Sequence, residues 1–214
     1  MTLIMTDARL QEIVGIVKHI SCQRVYTLPV DIDRLCRSYG ARMTSIDDAA
    51  ALGLDPEIVT RCIGNRDGVA NEGRRVWGII YNKNAPVNRL RFTLAEELMH
   101  HLLGHTKDPR FNAISPSYDH ALYMRYEEEA KIAADLLLIP PSVYYRFRRT
   151  VPGGGLGKLF GVSDACLWTA SQLYNEKEDA IQIAWGLSMP ADMERISKRA
   201  AQLVRERRPV RVSI

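Results

Sequence analysis

The sequence predicts an α+β fold that is mostly helical, with a small β-sheet and a helical C-terminal part. Apolar residues recur at helical spacing in several segments, which indicates helices that bury one face. One segment, RRVWGIIYN at residues 74–82, is rich in β-branched and aromatic residues and is bounded by turn-forming residues. That pattern is typical of a strand.

The composition is that of a folded protein. The 214 residues are 46% hydrophobic and 25% charged, enough to bury a core in one compact domain with a small appendage. The N-terminus lacks the features of a secretion signal, and no run approaches about 18 apolar residues, so we expect a cytoplasmic protein that does not contact a membrane. The four cysteines form no Cys-x-x-Cys pair and are expected to be buried thiols.

Two helices are predicted before the strand. A helix-start signal followed by apolar residues at helical spacing predicts the first helix within the initial 20 residues. A second, short helix is predicted within LPVDIDRLCRSYG, residues 28–40, where Gly40 is a natural C-terminal stop. The polar stretch 41–72 shows little pattern and is left without predicted elements.

The chemically informative segment is RFTLAEELMHH, residues 91–101. Residues four apart on a helix lie one above the other, so Glu96 and His100 point into the same space and Glu97 flanks it. A metallopeptidase needs this geometry: two ligands on one helix face and a neighbouring carboxylate that accepts a proton from water. Registers that begin at Glu97 or His101 place a leucine where the base belongs. We therefore predict Glu96 and His100 as metal ligands and Glu97 as the catalytic general base.

A third ligand is expected from YEEEAKIAADLLLIPP, residues 126–141. The segment is predicted to be a helix that ends at Pro140, with a face of small residues on which another helix can pack closely. A glutamate on that face could reach a metal. However, Glu127, Glu128 and Glu129 also fit a solvated acidic turn near a helix start, which the helix dipole favours. Spacing alone leaves both interpretations open.

The order of these motifs resembles the ImmA/IrrE family of metallopeptidases. Members typically show a Pro-Val-Asp helix, an Arg-Phe-Thr-x-Ala-His-Glu-x-x-His helix and a Glu-Ala-Asn-x-Phe-Ala-Ala helix that ends in Met-Pro. This chain has counterparts of all three between residues 28 and 163. The resemblance implies a zincin-like metallopeptidase domain over residues 1–150. Position by position, it implies His100 as a metal ligand, Glu97 as the general base and Glu129 as the third ligand.

Glu96 departs from this family pattern, because it stands where the first motif histidine is usual. A carboxylate oxygen is an acceptable zinc ligand. Glu96, Glu129 and neutral His100 around a divalent ion sum to zero formal charge, whereas two histidines and one glutamate leave one positive charge. We therefore expect a weaker Lewis acid that takes zinc (Zn²⁺) but tolerates manganese (Mn²⁺) or iron (Fe²⁺) better than a histidine-rich site would. An altered but working site is favoured over an inactive one.

The remaining histidines of this region are predicted to be structural or surface residues. His101 and His105 continue the helix or follow its end, and His105 lies where the family often has a histidine. His120, Tyr118 and Tyr123 could assist a developing oxyanion, but the sequence contains no geometry that selects any of them.

Residues 151–214 are predicted to form a helical C-terminal extension with a basic tail. Gly161 and Ser163 provide a turn and a helix cap that are typical of a helix-turn-helix motif. The following helix, residues 164–175, contains no lysine or arginine, so direct DNA binding is not expected of it. Residues 194–211 contain seven basic and two acidic residues, and a solvated helix face is favoured over a nucleic-acid contact.

The resemblance also implies a substrate. The expected function is metal-dependent, site-specific cleavage of a helix-turn-helix transcriptional repressor that controls a mobile element or a stress response. Two alternatives stay open: a non-catalytic family member that binds a repressor or another partner without cutting it, and a regulator that binds DNA directly through its basic tail.

Overall fold

The computed structural model describes residues 5–24, 27–51, 53, 55, 57, 59, 63, 67–72, 77–111, 116–151, 153–186 and 193–206. The mostly helical α+β fold that the sequence predicted is confirmed. The helices whose bounds are defined are α1 (Asp7–Arg24), α2 (Ile32–Ser38), α3 (Ile46–Ala51), α4 (Val87–Leu102), α5 (His120–Leu138), α6 (Pro141–Phe147), α7 (Gly153–Phe160), α8 (Asp164–Glu176), α9 (Glu178–Trp185) and α10 (Met193–Glu206), with a short 3-10 helix at His105–Lys107.

A small mixed sheet lies beside α4. Its strands are β1 (Arg42–Ser45), β2 (Gly68–Glu72) and β3 (Trp77–Tyr81), in the order β1-β3-β2. Strand β3 is parallel to β1 and antiparallel to β2. Its alternating burial, with Trp77 and Ile79 buried, places one face against the helices.

The predicted strand is confirmed over residues 77–81, while residues 74–76 lie outside the described part of the chain. Residues 41–72, where the sequence shows little pattern, contain β1, α3 and β2. Strands of four and five residues are too short to show a clear period of alternating hydrophobicity, and their stability comes from pairing with β3.

Helices α4 and α5 pack against each other and position the candidate site. Fully buried alanines let the two backbones approach closely, namely Ala95 on α4 and Ala130, Ala133 and Ala134 on α5. The small-residue face predicted for the second helix is therefore confirmed. That helix begins earlier than predicted, because Asp119 caps its start by accepting hydrogen bonds from the backbone of Ala121 and Leu122.

The first helix and the C-terminal helices complete the core. Helix α1 packs against α5 and α9. Gly161 has a φ of 65° and Ser163 caps α8, as the sequence predicted. Helix α8 packs on α5, and one hydrophobic core includes residues from α1 to α10. The boundary predicted near residue 150 stays a prediction. None of the described helices combines the length and the apolar character that crossing a bilayer requires.

Candidate metal centre

Three side chains from the α4–α5 pair meet at one place. Glu96 and His100 lie one turn apart on α4, and Glu127 approaches from α5. Each offers a ligand atom, and these three atoms lie within 4.8 Å of one another. His100 is 2% exposed, and the glutamate side chains are 15% and 12% exposed. The residues are thus largely shielded from water, yet accessible to an ion.

The chemistry of this group fits a divalent metal ion. Two carboxylates and one imidazole are among the side chains that bind zinc in proteins, and carboxylates also suit manganese and iron. Across the two helices, Nε2 of His100 lies 3.6 Å from Oε1 of Glu127. The structure therefore brings together the predicted ligands Glu96 and His100.

The structure does not bring Glu129 into this group; Glu127 is the third member instead. Residues two apart on a helix point in nearly opposite directions, so Glu127 and Glu129 cannot face the same ion. Glu127 lies three and seven residues before Ala130 and Ala134, the small residues that face α4. That spacing could have identified it in the sequence.

Glu129 is buried on another side of α5, where it has its own partners. It is 3% exposed. Its Oε2 atom accepts hydrogen bonds from Nε and Nη2 of Arg9 at 3.1 and 2.6 Å, and it lies 3.2 Å from Nε2 of His105. Burial by itself raises the pKa of Glu129, but the hydrogen bonds from His105 and Arg9 outweigh burial and lower the pKa to about 2. Glu129 is therefore ionised.

A chain of hydrogen bonds connects Glu129 to His100. Nδ1 of His105 lies 3.1 Å from Nδ1 of His100. Burial lowers the pKa of His105, so its neutral ring is favoured, and Glu129 selects the tautomer with the proton on Nε2. Nδ1 of His105 must then accept a hydrogen bond from the N–H at Nδ1 of His100. Nε2 of His100 then carries no proton, and its lone pair faces Glu127. An unprotonated ring nitrogen is what a metal ion requires of a histidine ligand.

The turn after α4 makes this contact possible. Gly104 adopts the left-handed conformation, with φ of 82°, and the chain reverses into the short 3-10 helix. His105 is thereby placed under the end of α4, where it is 1% exposed and stacks on Tyr126 at a centroid distance of 4.0 Å. The prediction of a structural role for His105 is consistent with this position, but its link to His100 could not be read from spacing.

Glu97, the predicted general base, lies between α4 and the edge of the sheet. It is 6% exposed, and its Oε2 atom accepts a hydrogen bond of 2.6 Å from the backbone N–H of Ala70 on β2. A hydrogen bond from a strand backbone fixes the orientation of the carboxylate beside the metal-binding group. Glu97 is the immediate neighbour of Glu96, so the flanking position expected from the helix period is retained.

The other histidine and tyrosine residues considered in the sequence analysis lie in two places. His101 stacks on Trp77 with centroids 3.8 Å apart, on the side of α4 that packs on the sheet. Tyr118 and His120 lie near the start of α5 and form a 3.0 Å hydrogen bond with each other. Neither histidine belongs to the group that could bind a metal.

A cation already lies close to the carboxylates of this group. Nζ of Lys131 is 3.7 Å from Glu127 and 4.0 Å from Glu96. The lysine side chain is 53% exposed, so it can leave the two carboxylates without disturbing the core. Its charge therefore affects any ion that binds there.

Comparison with known protein families agrees with this geometry. A family model for the IrrE N-terminal-like domain, a peptidase domain, matches residues 55–164, about half of the chain. The match includes α4, α5 and all three side chains of the candidate metal centre. A comparison with curated proteins yields no match. On the strength of the family model and the mostly helical zincin-like fold, the chain belongs to the ImmA/IrrE family of metallopeptidases.

Proposed function

We propose that this chain is a metal-dependent endopeptidase that cuts a helix-turn-helix transcriptional repressor at a specific site. The observation that supports it best is the convergence of Glu96, His100 and Glu127 in a chain of metallopeptidase ancestry. The repressor as substrate rests on the family resemblance.

Glu96, His100 and Glu127 would hold the metal ion. When bound, a divalent ion supplies Lewis-acid chemistry that polarises a peptide carbonyl and makes water more acidic. We propose zinc as the natural ion, with manganese or iron as substitutes that a carboxylate-rich set accepts. The hydrogen bond that Nδ1 of His100 donates to His105 orients the imidazole of His100 for this role.

Glu97 would act as the general base. Its Oε2 atom is held by the N–H of Ala70, which keeps the carboxylate at the junction of α4 and β2. From there it accepts a proton from water as the hydroxyl attacks, and it returns the proton to the amine that leaves. Burial in this position limits its access to bulk solvent.

Metal analysis and a single substitution test the proposal. We expect the purified protein to contain about one equivalent of divalent metal, and to cut a helix-turn-helix repressor encoded in the same genome. Glu97→Gln keeps the hydrogen bond from Ala70, because the amide oxygen can still accept it, but cannot accept a proton from water. Cleavage should fall by about 100-fold or more with metal content unchanged. Cleavage at an undiminished rate would exclude Glu97 as the base.

Lys131 favours a second candidate function, a binding protein without peptidase activity. Its ammonium group lies near two of the three proposed ligands and could take the place of the metal as their counter-ion. In that case the wild-type protein would purify without metal, and would bind its repressor without cutting it. Metal content and gel analysis of the repressor distinguish the two functions.

A further inference from the structure

A large groove lies between α4, α5 and α8. It has a volume of about 1050 Å³, at the upper end of the sizes usual for protein sites that hold a ligand. Its lining is mainly apolar and includes Val87, Phe92, Ile132, Asp135, Trp168 and Leu173. We refer to it as the α4–α8 groove.

The groove adjoins the candidate metal centre at Lys131. Lys131 lines the groove, and the same lysine contacts Glu96 and Glu127. Two large apolar residues of the lining are open to solvent: Val87 is 73% exposed and Trp168 is 66% exposed. Large apolar side chains exposed together in a concave surface are typical of a binding site.

A carboxylate without a cationic partner lies in the wall of this groove. Asp135 is 6% exposed, and the thiol of Cys166 donates a weak hydrogen bond of 3.5 Å to its Oδ1 atom. Within the described ranges, no lysine, arginine or histidine nitrogen lies within 4 Å of Asp135. Burial raises the pKa of Asp135 to about 7, and the charge of Glu96 adds to the increase. A cation beside this carboxylate would relieve the cost of ionising it.

Besides Asp135, two further acidic residues line the groove. Glu128 and Glu176 also line it and form no ion pair with the part of the chain that the structure describes. The basic lining residues already have acidic partners, since Arg89 pairs with Asp67 and Lys131 lies near the metal-site carboxylates. An apolar surface with uncompensated acidic groups is complementary to an aliphatic side chain that ends in a cation.

We propose that the α4–α8 groove binds the substrate polypeptide beside the cleaved bond, and that Asp135 receives a lysine or arginine side chain of that polypeptide. This inference rests on the proposed peptidase function. The aliphatic stem of the basic residue packs on Phe92, Ile132 and Leu173, and its charged end reaches the carboxylate.

The position of Asp135 also predicts how far the basic residue of the substrate lies from the bond that is cut. Asp135 lies eight residues after Glu127 on α5, which at about 1.5 Å per residue is about 12 Å along the helix. An extended polypeptide advances about 3.3 Å per residue. The basic residue of the substrate is therefore expected three to four residues from the bond that is cut.

Binding of two matched peptides tests the inference without depending on cleavage. The probes are fluorescein-labelled peptides of alanine and leucine with a single central lysine in one and norleucine in the other, followed by fluorescence anisotropy in a buffer with chelator. We expect the wild-type protein to bind the lysine peptide about 10- to 100-fold more tightly, as for a buried hydrogen bond to a charged group. Asp135→Asn and Asp135→Ala should remove this preference.

Asp179→Asn is the matched control, because it removes an equal charge from an exposed position on α9 outside the groove. It should leave the preference unchanged. Equal binding of the two peptides, no binding of either, or a preference that survives both Asp135 substitutions would overturn the proposal. These outcomes are independent of the peptidase function. If the protein cuts its repressor but binds the two peptides equally, only the proposed role of the groove is refuted. If it distinguishes the peptides but never cuts a repressor, only the proposed peptidase activity is refuted.

Discussion

The contact between Arg9 and Glu129 joins the first helix to the helix that contributes Glu127, and we predict that it is a main source of stability. Glu129 is 3% exposed, and Arg9 supplies two of its short hydrogen bonds. The pKa of Glu129 falls from its ordinary 4.5 to about 2. At about 1.4 kcal/mol per pKa unit, this difference corresponds to about 3 kcal/mol, which is what remains of the partners' effect after the opposing effect of burial.

Arg9→Met removes the guanidinium but retains most of the apolar stem. The buried carboxylate keeps His105 and the more distant Arg125, whose Nε lies 3.7 Å from Oε1. It loses both short hydrogen bonds from Arg9, so we expect the free energy of unfolding to fall by about 2 kcal/mol. For a chain of this size, that loss lowers Tm by about 4–8 °C. The assay is urea denaturation at pH 7 followed by circular dichroism, with chelator present so that metal binding does not contribute.

Glu12 offers a matched control, since it pairs with Arg9 on the surface and its side chain is 60% exposed. Glu12→Gln should cost at most about 0.5 kcal/mol. Adding Glu129→Gln to Arg9→Met should recover part of the lost stability, because the neutral amide needs no cation. If Arg9→Met costs no more than Glu12→Gln, or if the double variant is less stable than Arg9→Met, the ion pair does not have the role described here.

Three further predictions concern the metal centre. His105→Phe should weaken metal binding by about 10- to 100-fold, because His100 loses the hydrogen bond that orients its ring, whereas the surface change His120→Phe should have no effect in the same titration. Glu96→His should strengthen zinc binding relative to manganese, and an unchanged ratio of the two affinities would argue against Glu96 as a ligand. Lys131→Met should raise affinity for either ion, since a positive charge is removed from two ligand carboxylates; unchanged affinity in a chelator competition would contradict this.

The sequence predicted the parts of the fold that depend on local pattern. The helix-start signal at Asp7, the stop at Gly40 and the cap at Ser163 all correspond to observed helix ends, with the second helix ending at Ser38, two residues before Gly40. Local signals suffice there, because caps and amphipathic faces involve residues close together in the chain. Strand β2 was missed, because it depends on pairing with β3 and on contact with α4.

In the candidate site, too, only the residues that lie close together in the chain could be predicted from the sequence. Glu96 and His100 were predicted to act together because they lie one turn apart on a single helix. The choice between Glu127 and Glu129 depends on how α5 is rotated about its axis relative to α4. Within the sequence of α5, only the position of the small residues that face α4 indicates that rotation. The partners of Glu129 come from residues 120 positions before and 24 positions before it, which explains why its role could not be predicted.

In the proposed metal centre, Lys131 would offset the additional negative charge that Glu96 introduces. Two carboxylates and a neutral imidazole cancel the charge of a divalent ion, but the ammonium group of Lys131 lies near both carboxylates and returns one positive charge to the centre. The total then equals that of two histidines and one glutamate. A lysine in this position weakens metal binding and strengthens the Lewis acidity of an ion that does bind. Loss of cleavage in Lys131→Met together with tighter metal binding would therefore indicate compensation, whereas new cleavage activity would indicate that Lys131 had taken the place of the metal.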